Sequence, residues 1–307
     1  MHYRGKRTLV FGEHRSAVRL SEERGNTCPD YWHFSPYGFC PYDCKYCYLA
    51  ATQGVRFSPT VKVFLNLPEM LGQIDRVAAR QGRPTAFYLG KLQDGLALDP
   101  LTGYSRVMVP FFARHRFARM TLLTKAADVA NLLDLDHGGQ TILSWSLNPP
   151  EVCAQFETGT PPPRLRLEAM AKCAAAGYPV RAVIMPIIPL PGWRAAYERL
   201  LCRILERVAL DRITLGGICS FPAARRLMEA KLGADNAIST ELRENAGRSS
   251  DGRSRYSLPR RIEVYGHLIH IIRREAPSVG IGLCLEGRDV FEALGLEGRI
   301  GKCNCVL

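Results

Sequence analysis

Cys40-Pro-Tyr-Asp-Cys44-Lys-Tyr-Cys47 places three thiols at C-x3-C-x2-C spacing in one short loop, directly after an aromatic stretch from Tyr31 to Phe39. Three thiolates this close can hold three corners of an iron–sulfur cluster. A cluster held completely takes four cysteines, and no fourth follows at a regular short interval. One iron would then stay open to a small molecule. Two other readings use the same residues. Structural zinc takes four protein ligands, and His33 could complete such a set; alternatively, the three thiols are unrelated buried side chains.

Other residues fall where chemistry would need them. Asp94, Lys125, Ser146 and Asn148 each follow a segment that reads as a strand, and in parallel barrels chemistry collects at the C-terminal strand ends. Each alone is also an ordinary cap or turn residue. Tyr46 and Tyr48 flank Cys47, either to pack over a cluster and exclude water or, as phenols, to pass a hydrogen atom. Cys153, Cys173, Cys202, Cys219 and Cys284 lie among apolar residues or in helices and read as core, since free Cys is among the most buried residue types. Cys303 and Cys305 form a C-x-C pair in a terminal segment, where they could be inert, bind metal or fold back as thiol donors.

The elements that must position these residues alternate. Residues 1–27 form a basic lead-in with one short apolar run, Thr8 to Phe11, read as an arm or a peripheral strand. The first core strand is expected in Tyr31–Phe39. Val61 to Leu65 is extended, and Asn66 reads as the cap of a helix whose Met70, Leu71, Ile74 and Val77 recur at helical spacing, with Gly82 just beyond its end. Strands are expected at 85–89, 120–124, 141–147, 179–187, 212–215 and 279–285. Helices are expected at 105–117, 127–133, 165–176, 193–208, 222–231, 260–274 and 289–294. Repeated βα units imply parallel strands with helical crossovers. The fold class is therefore α/β, an open partial (β/α)6 TIM-like barrel over residues 28–231. Residues 232–258 are polar and read as a loop or hairpin insertion. Residues 259–307 supply a helix, a strand and the C-x-C tail.

Composition sets the bounds. The chain has 307 residues, 47% of them hydrophobic, enough for one large domain or two. Its 41 Lys+Arg against 29 Asp+Glu give a net charge of +12, which suits a polyanion such as DNA as well as a solvated basic surface. No secretory leader is read at the start, and eleven cysteines in a chain this long are expected to be reduced, in the cytoplasm. No apolar run approaches the ~20 residues of a membrane span.

The cysteine spacing resembles that of the radical S-adenosylmethionine (SAM) enzymes. Further matches resemble the spore photoproduct lyase family within it: Leu123-Thr124-Lys125, Phe156-Glu157-Thr158-Gly159-Thr160, Arg166-Leu167-Glu168-Ala169, and Ala176-Gly177-Tyr178-Pro179 leading to Pro186 and Gly192-Trp193. The resemblance covers roughly residues 8–265. It implies a [4Fe-4S] cluster on Cys40, Cys44 and Cys47, with SAM on the open iron giving a 5′-deoxyadenosyl radical. The reaction implied is C–C bond cleavage in a thymine lesion of DNA, with an electron donor such as a flavodoxin or ferredoxin. Asp94, Lys125 and Ser146 match SAM-contacting positions, Asn148 joins them by its place, Tyr46 and Tyr48 match relay tyrosines, and Arg255-Tyr256 resembles a pair near the lesion. One departure stands out. The family's hydrogen-donor cysteine is absent, and Lys91 falls at its position. Cys303 or Cys305, or one of the two tyrosines, could replace it; alternatively the substrate is a different small molecule or nucleoside.

Overall fold

Seven strands run parallel in one sheet within the computed structural model, which describes residues 2–244, 247–248 and 251–307. They are β1 (Tyr31–Phe34), β2 (Thr85–Leu89), β3 (Ala118–Thr124), β4 (Thr141–Ser146), β5 (Val180–Ile184), β6 (Arg212–Leu215) and β7 (Gly280–Leu283). Each pairs with its neighbours in sequence order. The first six lie in the segment expected to form the partial barrel. The seventh comes from the C-terminal region and extends the same sheet.

Helices α1 (Leu67–Gln81), α2 (Ser105–Arg114), α3 (Pro163–Ala175), α4 (Trp193–Arg207) and α5 (Leu258–Glu275) make crossovers between the strands. Side chains alternate along a strand, and β4 shows the result. Leu143 and Trp145 are fully buried in the main core with Leu167 and Met170 of α3, while Ser144 and Ser146 face the lumen. Burying each such large apolar side chain contributes about 1.5–3 kcal/mol, which is what holds the helices on the sheet.

The lumen is filled from within by the chain's own tail. Ser144 Oγ donates to Asn304 Oδ1 at 2.8 Å, Arg181 to the Val306 carbonyl at 2.6 Å, and Arg212 to the Cys303 carbonyl at 2.7 Å. A Cβ on Gly282 would lie 2.1 Å from the Lys302 carbonyl oxygen. Gly282→Ala is therefore expected to expel residues 302–307 and lower stability by about 1–3 kcal/mol, an overpacking cost; limited proteolysis of the tail and a denaturation midpoint check it.

The sheet does not close. Its free edge carries Val18–Ser21, antiparallel to β1, and the gap to β7 is bridged by Thr27, whose N–H and hydroxyl donate to the Glu286 carbonyl at 2.9 and 3.0 Å. An Arg253–Glu23 ion pair at 2.9 Å spans the same gap.

Several local expectations need correction. The stretch 31–39 is two strands, because Tyr37–Gly38 leaves the barrel to pair with Val61–Phe64, which also pairs with Leu9–Gly12. The lead-in is thus built into the fold. Asn66 does not cap α1; its Oδ1 accepts from the His14 N–H at 3.0 Å. The expected helix at 127–133 is a run of turns. There Asp128 accepts from the Ala130 N–H, and Asn131 reaches across to Asp99, so local side-chain bonds win over helix. The 232–258 segment contains a helix, Ala237–Glu244, and a short hairpin of Gly247–Arg248 with Ser254–Arg255. Ile238, Leu242 and Tyr256 bury themselves in a second core with Val152, Phe156, Ile188 and Met228. Few apolar residues sufficed, since all three are buried. Among the described residues no helix is long and apolar enough to cross a membrane.

Candidate active site

The cysteine loop is clamped on both sides. Asp43–Cys44 pairs antiparallel with Glu157–Thr158, register Cys44 opposite Glu157, and the Lys45 N–H donates to the Phe156 carbonyl at 2.7 Å. Lys45 and Lys231 each hold the Asp43 carboxylate at 2.7 Å. From the lead-in, the buried Lys6 ammonium donates to the carbonyls of Cys40 (3.0 Å) and Tyr42. Phe39, just before the first cysteine, has φ of 62°, a left-handed conformation unusual for a bulky residue. Lys6 covers its ring at 4.3 Å.

An open cavity of about 200 Å³ lies above the C-terminal strand ends. Cys40, Cys44 and Cys47 line it together with Tyr42, Tyr46, Tyr48, Asp94, Lys125 and Ser146. Apolar wall is added by Leu49, Leu123, Val183, Met185, Pro186 and Ile218. The sequence-inferred set therefore largely converges.

Lys125 is the site's cation. Burial opposes its charge, but Glu157, Cys44 and Asp94 raise its pKa above the ordinary lysine value. Its Nζ donates to Ser146 Oγ at 2.8 Å and stands 4.0 Å from Glu157. An ammonium has three N–H donors, so donor capacity remains for a carboxylate in the cavity.

Behind the wall lies a buried charge network. Glu157 accepts from the Tyr46 hydroxyl at 2.5 Å, Asn148 Nδ2 at 3.0 Å and Arg166 at 2.5 Å. Burial pushes its carboxyl up, yet Lys125 and Arg166, with the Tyr46 and Asn148 hydrogen bonds, hold it at about 2. Arg166, fully buried, also donates to the carbonyls of Pro161 (2.7 Å) and Ser146 (3.2 Å) and to Thr160 Oγ1 (2.5 Å). Paired and hydrogen-bonded in this way, both charges are tolerated inside. The network ties the cluster loop, Tyr46 and the β4 end into one rigid unit.

Four inferred residues do other work. Asp94 lines the cavity, but its Oδ1 accepts from the N–H groups of Leu96 and Ala97 and from Thr124 Oγ1, and its Oδ2 accepts from the Lys125 N–H at 2.7 Å. It positions the Lys125 loop. Asn148 is outside the cavity wall, wedged between Glu157 and the Tyr197 hydroxyl. Arg255 is buried against Asp251, at 2.8 and 2.5 Å, and the Leu285 carbonyl. Tyr256 is buried in the second core. Neither of this pair lines the cavity.

The tail thiols are also displaced. Cys303 is buried in the lumen against the thiols of Cys28 and Cys305; their hydrogen bonds lower Cys303, while those bonds and burial raise Cys28 and Cys305. Cys303 and Cys305 are not in the cavity wall. Sequence reading missed Glu157 and Arg166, although a Glu and an Arg inside otherwise buried segments were a signal. It also missed Gln93 and Cys219, which line the cavity; Cys219 follows Gly216-Gly217 at a strand end.

The donor set fits a cluster. The three loop cysteines are unpaired thiols on one wall. Burial pushes Cys44 up to about 12 and Cys40 higher, a penalty that binding to a cationic centre relieves. Among the described residues, no three His, Cys, Asp or Glu side chains are arranged to share a single metal ion. His33, considered for zinc, lies in β1 beside Tyr31 with its pKa pushed down to about 4 by burial, Lys91 and Arg19. Three cavity-lining thiols suit a cluster, whose irons each take one.

A family model described as spore photoproduct lyase matches residues 2–216. The spore photoproduct lyase of Bacillus subtilis (strain 168) is 32% identical over 197 residues, 64% of this chain and 56% of that protein. The one from Geobacillus sp. (strain Y412MC61) is 34% identical over 179 residues, 57% of this chain and 52% of the relative. The match thus spans about half the length of these curated relatives. A solved spore photoproduct lyase, complexed with dinucleoside spore photoproduct, superposes with a TM-score of 0.80 at 25% identity, covering 92% of this chain and 84% of that one.

Proposed function

Since the chain belongs to the spore photoproduct lyase family, we propose that it is a radical SAM enzyme that cleaves the C–C bond of a methylene-bridged thymine lesion in DNA. The observation that carries this reading is the convergence of Cys40, Cys44 and Cys47 with Lys125 and Ser146 on one cavity. A relative of similar fold is complexed with the dinucleoside lesion, which supports the substrate class.

Cys40, Cys44 and Cys47 would hold the [4Fe-4S] cluster, and Lys125 with Ser146 would meet the carboxylate of SAM. When bound, these cofactors supply a hydrogen-abstracting radical. The protein orients and shields. Tyr46 is fixed by Glu157 and Tyr48 by its 2.9 Å bond to the Lys91 carbonyl, so both rings are set as walls over the cluster loop. Leu49, Leu123, Met185 and Ile218 keep water from a reactive centre. Asp94 and Asn148 act one step back, on Lys125 and Glu157.

The net charge of +12 favours a DNA partner, with binding that weakens steeply as salt rises. The target base would leave the stack to enter the cavity. Eleven unpaired cysteines suit a reducing compartment, the cytoplasm, where a flavodoxin or ferredoxin would deliver electrons.

A second reading, a different small-molecule or nucleoside substrate, is favoured by Lys91. By the resemblance it falls at the family's donor position, and its ammonium is tied to Glu23 at 3.0 Å and to Ser21. The test is anaerobic incubation of reconstituted, reduced protein with SAM and the spore-photoproduct dinucleotide or oligonucleotide, read by mass spectrometry. Thymine product is expected. Formation of 5′-deoxyadenosine without thymine favours the second reading.

A further inference from the structure

We propose that Cys219 is the hydrogen-atom donor that completes the reaction, a role that rests on the lesion-cleavage reading above. A carbon radical left on a product must take hydrogen from a bond weaker than the C–H it forms. Thiol S–H and phenolic O–H bonds qualify; the N–H bonds of Lys91 do not. The described cavity wall holds four thiols: Cys40, Cys44, Cys47 and Cys219. The first three are committed to the cluster. Of the phenols, Tyr46 is hydrogen-bonded to Glu157 and Tyr48 to the Lys91 carbonyl, and Tyr42 lies within the cluster loop.

Cys219 is placed to do this. It stands in the loop after β6 with Gly217 and Ile218, while the three cluster cysteines stand in the loop after β1. β1 and β6 are five strands apart in the sheet order. A ligand between them would have the cluster on one side and this thiol on the other. Burial pushes Cys219 up to about 11, with Arg255 and Arg253 pulling the other way. The thiol is therefore protonated at neutral pH and has a hydrogen to give.

A second wall residue marks the space as a ligand site. Gln93 lines the cavity, is 4% exposed, and donates through Nε2 to the Phe34 carbonyl at 3.2 Å. Its Oε1 is buried without a partner. A buried acceptor is costly to leave unmade, and a turn of the side chain toward the cavity would present it to a ring N–H of the lesion.

The step balances. The product radical takes a hydrogen atom from Cys219, so a C–H bond forms, the S–H bond breaks, and a thiyl remains. One electron from a carrier of the flavodoxin or ferredoxin class and one proton from water restore the thiol.

The test uses the reconstituted holoprotein. First, iodoacetamide labelling at alkaline pH, where a thiol raised to about 11 becomes part thiolate, read by peptide mass spectrometry, should modify Cys219, and the dinucleoside lesion should protect it. Unprotected labelling, or none, overturns the proposal. Second, turnover in D2O should place one deuterium in the thymine product of the unsubstituted protein. Cys219→Ala should keep its iron and still form 5′-deoxyadenosine, while thymine per 5′-deoxyadenosine falls at least about tenfold and aberrant product accumulates. Cys305→Ala should leave that ratio unchanged. Equal thymine from Cys219→Ala, or loss of its iron, overturns the donor role alone. If the unsubstituted protein forms 5′-deoxyadenosine and no thymine, the lesion reading falls and takes this proposal with it.

Discussion

Cys44→Ala is expected to abolish the cluster and all 5′-deoxyadenosine formation while leaving the fold in place. In the proposed assignment three thiols are the whole protein ligand set, so removing one leaves two corners of the cluster without the third. Residue 44 meets Glu157 through its backbone, and that strand pairing survives the substitution. The loop would also keep its Lys6 and Lys45 braces. Iron content after anaerobic reconstitution, far-UV circular dichroism and 5′-deoxyadenosine yield measure the three consequences. An unfolded variant, or one with normal iron, would contradict the assignment.

Glu157→Ala is expected to destabilise the protein by about 3–5 kcal/mol, because it strands the buried Arg166 guanidinium without its partner. The carboxylate and guanidinium meet at 2.5 Å with no exposed side-chain surface on either. The same change frees the Tyr46 hydroxyl and the Asn148 amide, so iron retention should fall as well. A combined Glu157→Gln and Arg166→Met variant, which removes both charges, should recover part of the loss. The pH dependence has a definite sign. Glu157 is held at about 2, below its usual value of 4.5, so its contribution is present above pH 4.5 and disappears as pH falls toward 2. Between pH 6 and 9 the difference between parent and variant should be flat. Denaturant midpoints across pH check this, and a difference that shrinks between pH 6 and 9 would contradict a charged pair.

The site's chemical centre was legible because Cys40, Cys44 and Cys47 lie within eight residues of sequence and need no tertiary knowledge to be grouped. The barrel strands were legible from short apolar runs, and β2 and β6 match their expected bounds. Lumen contacts were not. Ser144, Arg181 and Arg212 read as polar residues of any surface, whereas the structure uses them to receive the tail. That placement depends on Gly282 and on the whole curvature of the sheet. Cys219 was misread because most free cysteines are core residues, whereas its place in the loop after β6 brings it to the cavity. The burial of Arg255 and Tyr256 was hidden for the opposite reason. A polar segment suggested an exposed loop, but Asp251 neutralises Arg255 locally and lets the hairpin pack inward.

The placement of the cofactor pocket is tested most directly by electron paramagnetic resonance of the reduced, reconstituted protein with and without SAM. An open iron beside Lys125 and Ser146 predicts that SAM changes the cluster's spectrum, and that Lys125→Ala weakens the response by raising the SAM concentration required. A cluster spectrum indifferent to saturating SAM would mean that no iron is open to it, and would contradict the proposed chemistry at its root.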